Sequence, residues 1–333
     1  MSSIFNNQDP AFFVRGILNG DMAVLSRAIT LVESGNETHQ QIAQKIIDGV
    51  FHNTGSSFRL GITGVPGVGK STFIESFGKK VISQGRKLAV LAIDPSSTKS
   101  KGSILGDKTR MEALSVQKNV YIRPSPSSGT LGGITRSTYE TILLCEAAGF
   151  DFIIVETVGV GQSEVEVGKI TDFFLLLMLA GAGDELQGIK RGIMEMADAL
   201  VITKADGENI EKAKAARSEY AHAMHLFGAT ESGWTPRTLL SSGLTNSGID
   251  EVYDMIEEYR RLTTGSGYFL INRSRQQYDL FLSSLEEQLK YRFYNDAGIQ
   301  KKISDLREKM KDQNLQPFSL AKDLLDSFFK NKS

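Results

Sequence analysis

Residues 64 to 71 read Gly64-Val65-Pro66-Gly67-Val68-Gly69-Lys70-Ser71, a full match to G-x-x-x-x-G-K-[ST]. An apolar stretch, LGIT, runs into it, and STFIESFGKKVISQ continues at helical spacing. The chain must therefore fold so that a strand turns sharply into a helix. In such a turn the glycines let backbone N–H groups point inward around phosphate oxygens, and the helix N-terminus adds its positive dipole end. Lys70 reaches the β- and γ-phosphates as a point charge, the Ser71 hydroxyl suits Mg²⁺, and Thr72 follows in the same first turn.

Around this loop, short apolar runs alternate with helix-length segments. The strand candidates are 58–63, 87–94, 120–124, 151–157, 172–179, 198–204 and 237–242. Several are apolar throughout, which implies burial on both faces. Strand–helix alternation predicts an α/β fold with a mainly parallel central sheet flanked by helices. Residues 10 to 52 carry helical apolar spacing, with Asp21 as an N-cap, and read as a stripe packed on the core. TTGSG (263–267) reads as a flexible linker, and 268–333 as helices interrupted near Asn314–Pro317. The expected organisation is an N-terminal helical extension (1–55), a phosphate-loop domain (56–262) and a C-terminal helical arm (263–333).

Ligands of open α/β sheets sit at the carboxyl ends of the strands. Asp94 and Glu156 end two strand candidates, and Asp107 lies on a loop, so all three are candidate metal-site acids. Mg²⁺ keeps several waters and needs few carboxylates. Gly159, three residues after Glu156, is placed to offer its N–H to a γ-phosphate. Thr203-Lys204-Ala205-Asp206 follows the strand DALVI where GTPases carry Asn-Lys-x-Asp. A carboxylate at Asp206 accepts from guanine N1–H and the 2-amino group, a pair adenine lacks, while the Lys204 stem packs along the base. Ser242-Gly243 stands where GTPases place a base-contacting Ser-Ala. Order and spacing together favour GTP over ATP. Lys70, Glu156 and Asp107 are the candidate catalytic residues. Val160 stands where Ras-type enzymes have Gln, and Gln162 comes later. Arg110, Arg136, Lys190 and Arg191 are candidate charge donors only. Slow intrinsic turnover, raised by a partner, is the expectation.

Composition closes other routes. The 333 residues include 38 Lys+Arg against 39 Asp+Glu, a net charge of -1. A neutral chain is not built for general binding to nucleic acid or anionic membrane. Cys145 is the only cysteine, which excludes a disulfide framework, and it reads as a buried small hydrophobe. The longest apolar run, Phe173 to Ala182, is about half of the roughly 20 residues a spanning helix needs. The N-terminus resembles neither a signal nor a transit peptide. A cytoplasmic location is expected. His222 and His225 share a helix face but have no third ligand nearby in sequence.

GITGVPGVGKSTFIE, LAIDPSS, GSILGDKTRM, RPSPSSGTLGG, LLCEAAGFD, VETVGVGQSE, FFLLLMLAGAGDELQGIKRGIME and TKADG occur in this order. The sequence resembles the MeaB/ArgK family, the methylmalonyl-CoA mutase-associated GTPases, over most of 10–260. The resemblance implies a homodimeric GTPase of the signal-recognition/MinD/BioD (SIMIBI) class with a C-terminal dimerisation arm. It implies a G-protein chaperone that uses GTP and GDP with Mg²⁺, binds an adenosylcobalamin-dependent mutase, and gates cofactor loading, protection and reactivation. By motif, Lys70 and Ser71 carry over as phosphate and Mg²⁺ residues, Asp94, Asp107 and Glu156 as the acidic group, and Lys204 and Asp206 as guanine readers. Segment 181–192 matches the family's third switch, with Asp184, Gln187 and Lys190 as coupling residues. The alternatives are a nickel-inserting metallochaperone, which would draw on His222 and His225, and a phosphate-loop kinase.

Overall fold

The computed structural model describes residues 9–94, 111–126, 131–157, 163–181, 191–312 and 315–330. The chain divides into two compact units, Met1–Gln276 and Gln277–Ser333.

The first unit is built on seven parallel strands: β1 (Phe58–Gly64), β2 (Leu88–Asp94), β3 (Val120–Pro126), β4 (Phe152–Thr157), β5 (Phe173–Met178), β6 (Ala199–Ile202) and β7 (Arg237–Leu240). Their order is β3-β2-β4-β1-β5-β6-β7, and every described pairing is parallel. The order reverses beside β1, so β1 and its loop sit at the topological switch point, where α/β sheets bind ligands. Strands β1, β4, β5 and β6 are buried along their whole length, as their unbroken apolar runs require. Each expected strand is present, but β6 and β7 end before Thr203 and Ser241, which leaves the candidate base-reading residues on loops.

Three helices, α1 (Pro10–Leu18), α2 (Met22–Val32) and α3 (Glu37–Val50), precede the sheet. Asp21 caps α2 by accepting from the Ala23 and Val24 amides. Phe13, Ile17, Leu25, Ile29, Ile46 and Val50 from these helices are buried. Helix α2 packs toward one face of β3: Ser26 Oγ lies 3.1 Å from Tyr121 Oη, and Arg123 pairs with Glu33 just past the end of the helix. Cys145, in the helix Leu131–Ala147, is fully buried, and burial pushes its thiol well above the usual range.

Between the strands lie α4 (Lys70–Ser83), α5 (Glu112–Ser115), α6 (Leu131–Ala147), α7 (Ser163–Gly168), α8 (Arg191–Met196) and α9 (Ile210–His225), and α10 (Ile249–Gly265) follows β7. The TTGSG segment is not the flexible linker its composition suggests. Thr263 to Gly265 close α10, the buried Thr263 hydroxyl donates to the Tyr259 carbonyl oxygen at 2.9 Å, and only Ser266 and Gly267 separate α10 from α11 (Tyr268–Tyr294). The division between units falls within α11.

The second unit holds the rest of α11, α12 (Ala297–Asp312) and α13 (Pro317–Lys330). The interruption near Asn314–Pro317 is present. A second break at Asn295–Asp296 carries no Gly or Pro and was not foreseen; there the Asp296 carboxylate accepts from the Gly298 and Ile299 amides. Phe293 packs edge-on to Phe328 at 5.1 Å.

No described helix is long and apolar enough to cross a membrane.

Candidate nucleotide site

Strand β1 delivers the chain to Gly64, and α4 begins at Lys70 with Gly69 as its N-cap. Gly67 and Gly69 take left-handed φ values of +78° and +94°. These values turn the loop back on itself and leave the first N–H groups of α4 without a capping side chain, open to an anion. Lys70 is buried, and its Nζ donates to Gly64 O at 2.7 Å. Burial pulls its pKa below the ordinary lysine value, against the opposing pull of the Glu156 and Glu164 carboxylates.

Glu156 sits near the end of β4, beside Ile62 of β1 in register, and is buried. Thr157 Oγ1 donates to Thr63 Oγ1 at 2.8 Å and fixes the spacing of the two strand ends. Glu164, in the first turn of α7, is buried as well. Motif matching passed over it, because no spacing rule marks this acid and only its burial near Lys70 sets it apart. Ser71 and Glu156 offer the hard oxygen donors Mg²⁺ prefers, and an ion that retains waters needs few such groups. The residues present therefore fit the ion.

The loops after β6 and β7 form one assembly with the phosphate loop. Thr203 Oγ1 donates to Val68 O at 2.6 Å. Ala205 N donates to Ser241 O at 3.1 Å, and Ser242 Oγ donates to the Asp206 carboxylate. Ser76 Oγ of α4 donates to Gly243 O at 2.7 Å. A Cβ on Gly243 would come within 2.9 Å of Thr72 O, so this close approach needs glycine. Lys204 is exposed, and its Cε lies 3.9 Å from where a Cβ on Gly69 would stand. Phosphate-loop and base-loop candidates thus meet at the carboxyl ends of β1, β6 and β7.

Asp107, Gly159, Asp184, Gln187 and Lys190 lie outside the described residues, as do Arg110, Val160 and Gln162 and the side chains of Asp94 and Arg191. Arg136 is occupied with Glu140 one turn along α6, at 2.9 Å. His222 Nδ1 lies 2.7 Å from Ser218 O, and no group of three potential metal ligands occurs among the described residues.

A seven-stranded parallel sheet with this loop after its first strand is the fold of a P-loop GTPase. The chain belongs to the family described as methylmalonyl Co-A mutase-associated GTPase MeaB, whose profile matches residues 25–297. It is 48% identical over 313 residues to the probable GTPase Rv1496 of Mycobacterium tuberculosis, covering 94% of this chain and 92% of that one. It is 44% identical over 327 residues to the mitochondrial methylmalonic aciduria type A homolog of Mus musculus, covering 95% and 79%. A crystal structure of an LAO/AO transport system kinase superposes with a TM-score of 0.75 at 35% identity, covering 97% of this chain and 98% of that one.

Proposed function

We propose that this chain hydrolyses GTP to GDP and phosphate, and that it couples its nucleotide state to an adenosylcobalamin-dependent methylmalonyl-CoA mutase. In this reading it gates cofactor loading, protection and reactivation. The observation that carries the nucleotide assignment is the Asp206–Ser242 pair seated against the phosphate loop. The mutase assignment follows the family.

Residues 64–72 wrap the phosphates, with Lys70 as the point charge, and Gly159 is the residue assigned to the γ-phosphate by its place in the sequence. Asp206 accepts from the guanine edge. Ser242 holds that carboxylate in line, and Thr203 ties the base loop to the phosphate loop. Ser71 and Glu156, with Asp94 and Asp107, hold Mg²⁺. Bound there, Mg²⁺ would supply positive charge against the phosphate oxygens. Catalysis of this kind rests on positioning and charge rather than on covalent chemistry, and in this reading a partner that orders the site or adds charge to it raises a slow intrinsic turnover. Asp184, Gln187 and Lys190 act in the coupling segment.

Residues 1–55 serve as the extension, 56–262 as the G domain and 263–333 as the dimerisation arm. Tyr278, Phe281, Leu285 and Leu289 are exposed along α11, an apolar face suited to a second copy. Phosphate release measured side by side from GTP and ATP tests the assignment: release from GTP alone supports it, and release from ATP at an equal rate contradicts it.

A further inference from the structure

Two buried carboxylates act on Lys70, and the nucleotide reading above employs only one of them. Glu156 is a proposed Mg²⁺ acid, whereas Glu164 has no part in that reading. Their exposures are 3% and 1%. Helix α7 carries Glu164 to this place. Strand β4 ends at Thr157 and the parallel strand β5 begins at Phe173, with α7 in the crossover between them, so the first turn of α7 lies toward the carboxyl ends of the strands. Val167, one turn further along, presses on β1: a Cβ on Gly61 would stand 3.1 Å from Val167 Cγ1. Glu164 and Val167 share one helix face and are both buried, so the face that rests on β1 at Gly61 brings Glu164 up toward Gly64 and the phosphate loop. Other contacts fix the helix in this position. The Thr135 hydroxyl of α6 donates to the Glu166 carboxylate at 2.8 Å, and a Cβ on Gly168 would meet Met196 Cε of α8 at 2.7 Å.

Lys70 is turned back onto its own loop, with Nζ donating to Gly64 O at 2.7 Å and to Val65 O at 3.4 Å. Burial lowers its pKa, and the carboxylates of Glu156 and then Glu164 oppose that, so the ammonium feels both charges. One ammonium against two carboxylates leaves this buried pocket with negative charge in excess before any phosphate enters. In the reading above, Mg²⁺ offsets Glu156 and Lys70 turns to the phosphates, and Glu164 then adds negative charge beside them. We infer that Glu164 sets the relative affinity for GTP and GDP: its carboxylate balances the Lys70 ammonium before nucleotide binds, and opposes the extra charge of a γ-phosphate when one arrives. The inference rests on the guanine-nucleotide reading and assigns a specificity residue at the phosphate end of that site. A buried charge is weakly screened and acts over several ångströms, so Glu164 exerts this effect without touching the phosphate.

Equilibrium titration of the full chain with fluorescently labelled GDP and a labelled non-hydrolysable GTP analogue, in excess Mg²⁺, for wild type, Glu164→Gln and Glu164→Asp, tests this. Glu164→Gln keeps the shape and removes the charge. It should bind the GTP analogue about tenfold more tightly than wild type, and GDP only about twofold more tightly. Glu164→Asp keeps the charge on a shorter side chain and should leave the ratio of the two affinities as in wild type. Damage to the packing of α7 alone weakens both nucleotides, the opposite direction. Unchanged or weakened binding of the GTP analogue by Glu164→Gln, or a ratio raised as far by Glu164→Asp, overturns the inference while leaving the nucleotide site standing. A wild-type chain that binds neither nucleotide removes the guanine reading and this inference with it.

Discussion

The Thr203 hydroxyl donates to the Val68 carbonyl oxygen at 2.6 Å, and both residues are buried. This one bond joins the proposed base-reading turn after β6 to the phosphate loop after β1, across the intervening strand β5. Thr203 stands where the GTPase motif has Asn, and at sequence level that was the imperfection of the match. The geometry shows that a hydroxyl serves: its reach is enough to satisfy a loop carbonyl that burial would otherwise leave unpaired. Thr203→Val keeps the shape and removes the donor. An unpaired buried carbonyl costs about 1–3 kcal/mol, so GDP affinity should fall by about tenfold, and Thr203→Ser should restore most of it. An unchanged dissociation constant in Thr203→Val would show that the two loops are held together by other means.

Asp206 accepts from Ser242 and is the proposed reader of the base edge. Asp206→Asn exchanges an acceptor for a donor at the contact that separates guanine from other purines. GDP binding should drop by about a hundredfold, and xanthosine diphosphate, whose 2-oxo group accepts, should bind more tightly than GDP. Equal binding of both nucleotides by the variant would remove Asp206 from the base-reading role.

The N-terminal ends of β1 and β5 carry a buried charge cluster that the sequence did not announce. Arg273 from α11 pairs with Asp172, its Nη1 lies 3.7 Å from Glu146, and Glu146 also binds Arg59 at 2.9 Å. Removing one member leaves a carboxylate stranded in the interior, at about 3–5 kcal/mol. Arg273→Met should therefore lower the melting temperature by many degrees. Arg275→Met, two residues on, should barely move it, because the Arg275–Glu231 pair is exposed on both sides (52% and 70%) and exposed pairs contribute little. Equal melting temperatures for the two variants would contradict this ranking.

Asp198 gives a pH prediction. Burial raises its carboxyl to about 7, the neighbouring Asp172 carboxylate adds to the effect, and the Phe174 amide, donating at 2.8 Å, opposes it. The folded chain then binds more protons than the unfolded chain between the ordinary carboxyl pKa of about 4 and about 7, so this group's contribution to stability is present at low pH and lost as pH rises through that window. Thermal melts of Asp198→Asn and wild type, compared from pH 5 to 8, should diverge in favour of the variant as pH rises. Parallel curves would mean that the carboxyl is ionised throughout.

Much of the fold was legible because its signals are local. The unbroken apolar runs of β1, β4 and β5 mark strands covered on both faces, and Asp21 marks the start of α2. The phosphate loop was legible for the same reason: Gly69, Lys70 and Ser71 carry their conformational and chemical roles in eight contiguous residues. What escaped the sequence depends on partners far apart in the chain. TTGSG reads as a linker until Thr263 is seen bonded inside α10. Glu164 is an ordinary surface acid until α7 buries it beside the lysine. Arg273 and Asp172 meet across 101 positions, a pairing that no spacing rule predicts.

The most direct measurement is the rate of GTP hydrolysis by the purified chain, alone and with a methylmalonyl-CoA mutase at matched concentration. The account predicts a slow basal rate that rises with the mutase, because the partner completes a site that already binds and positions the nucleotide. A basal rate already fast without the mutase, or one that the mutase leaves unchanged, would contradict it.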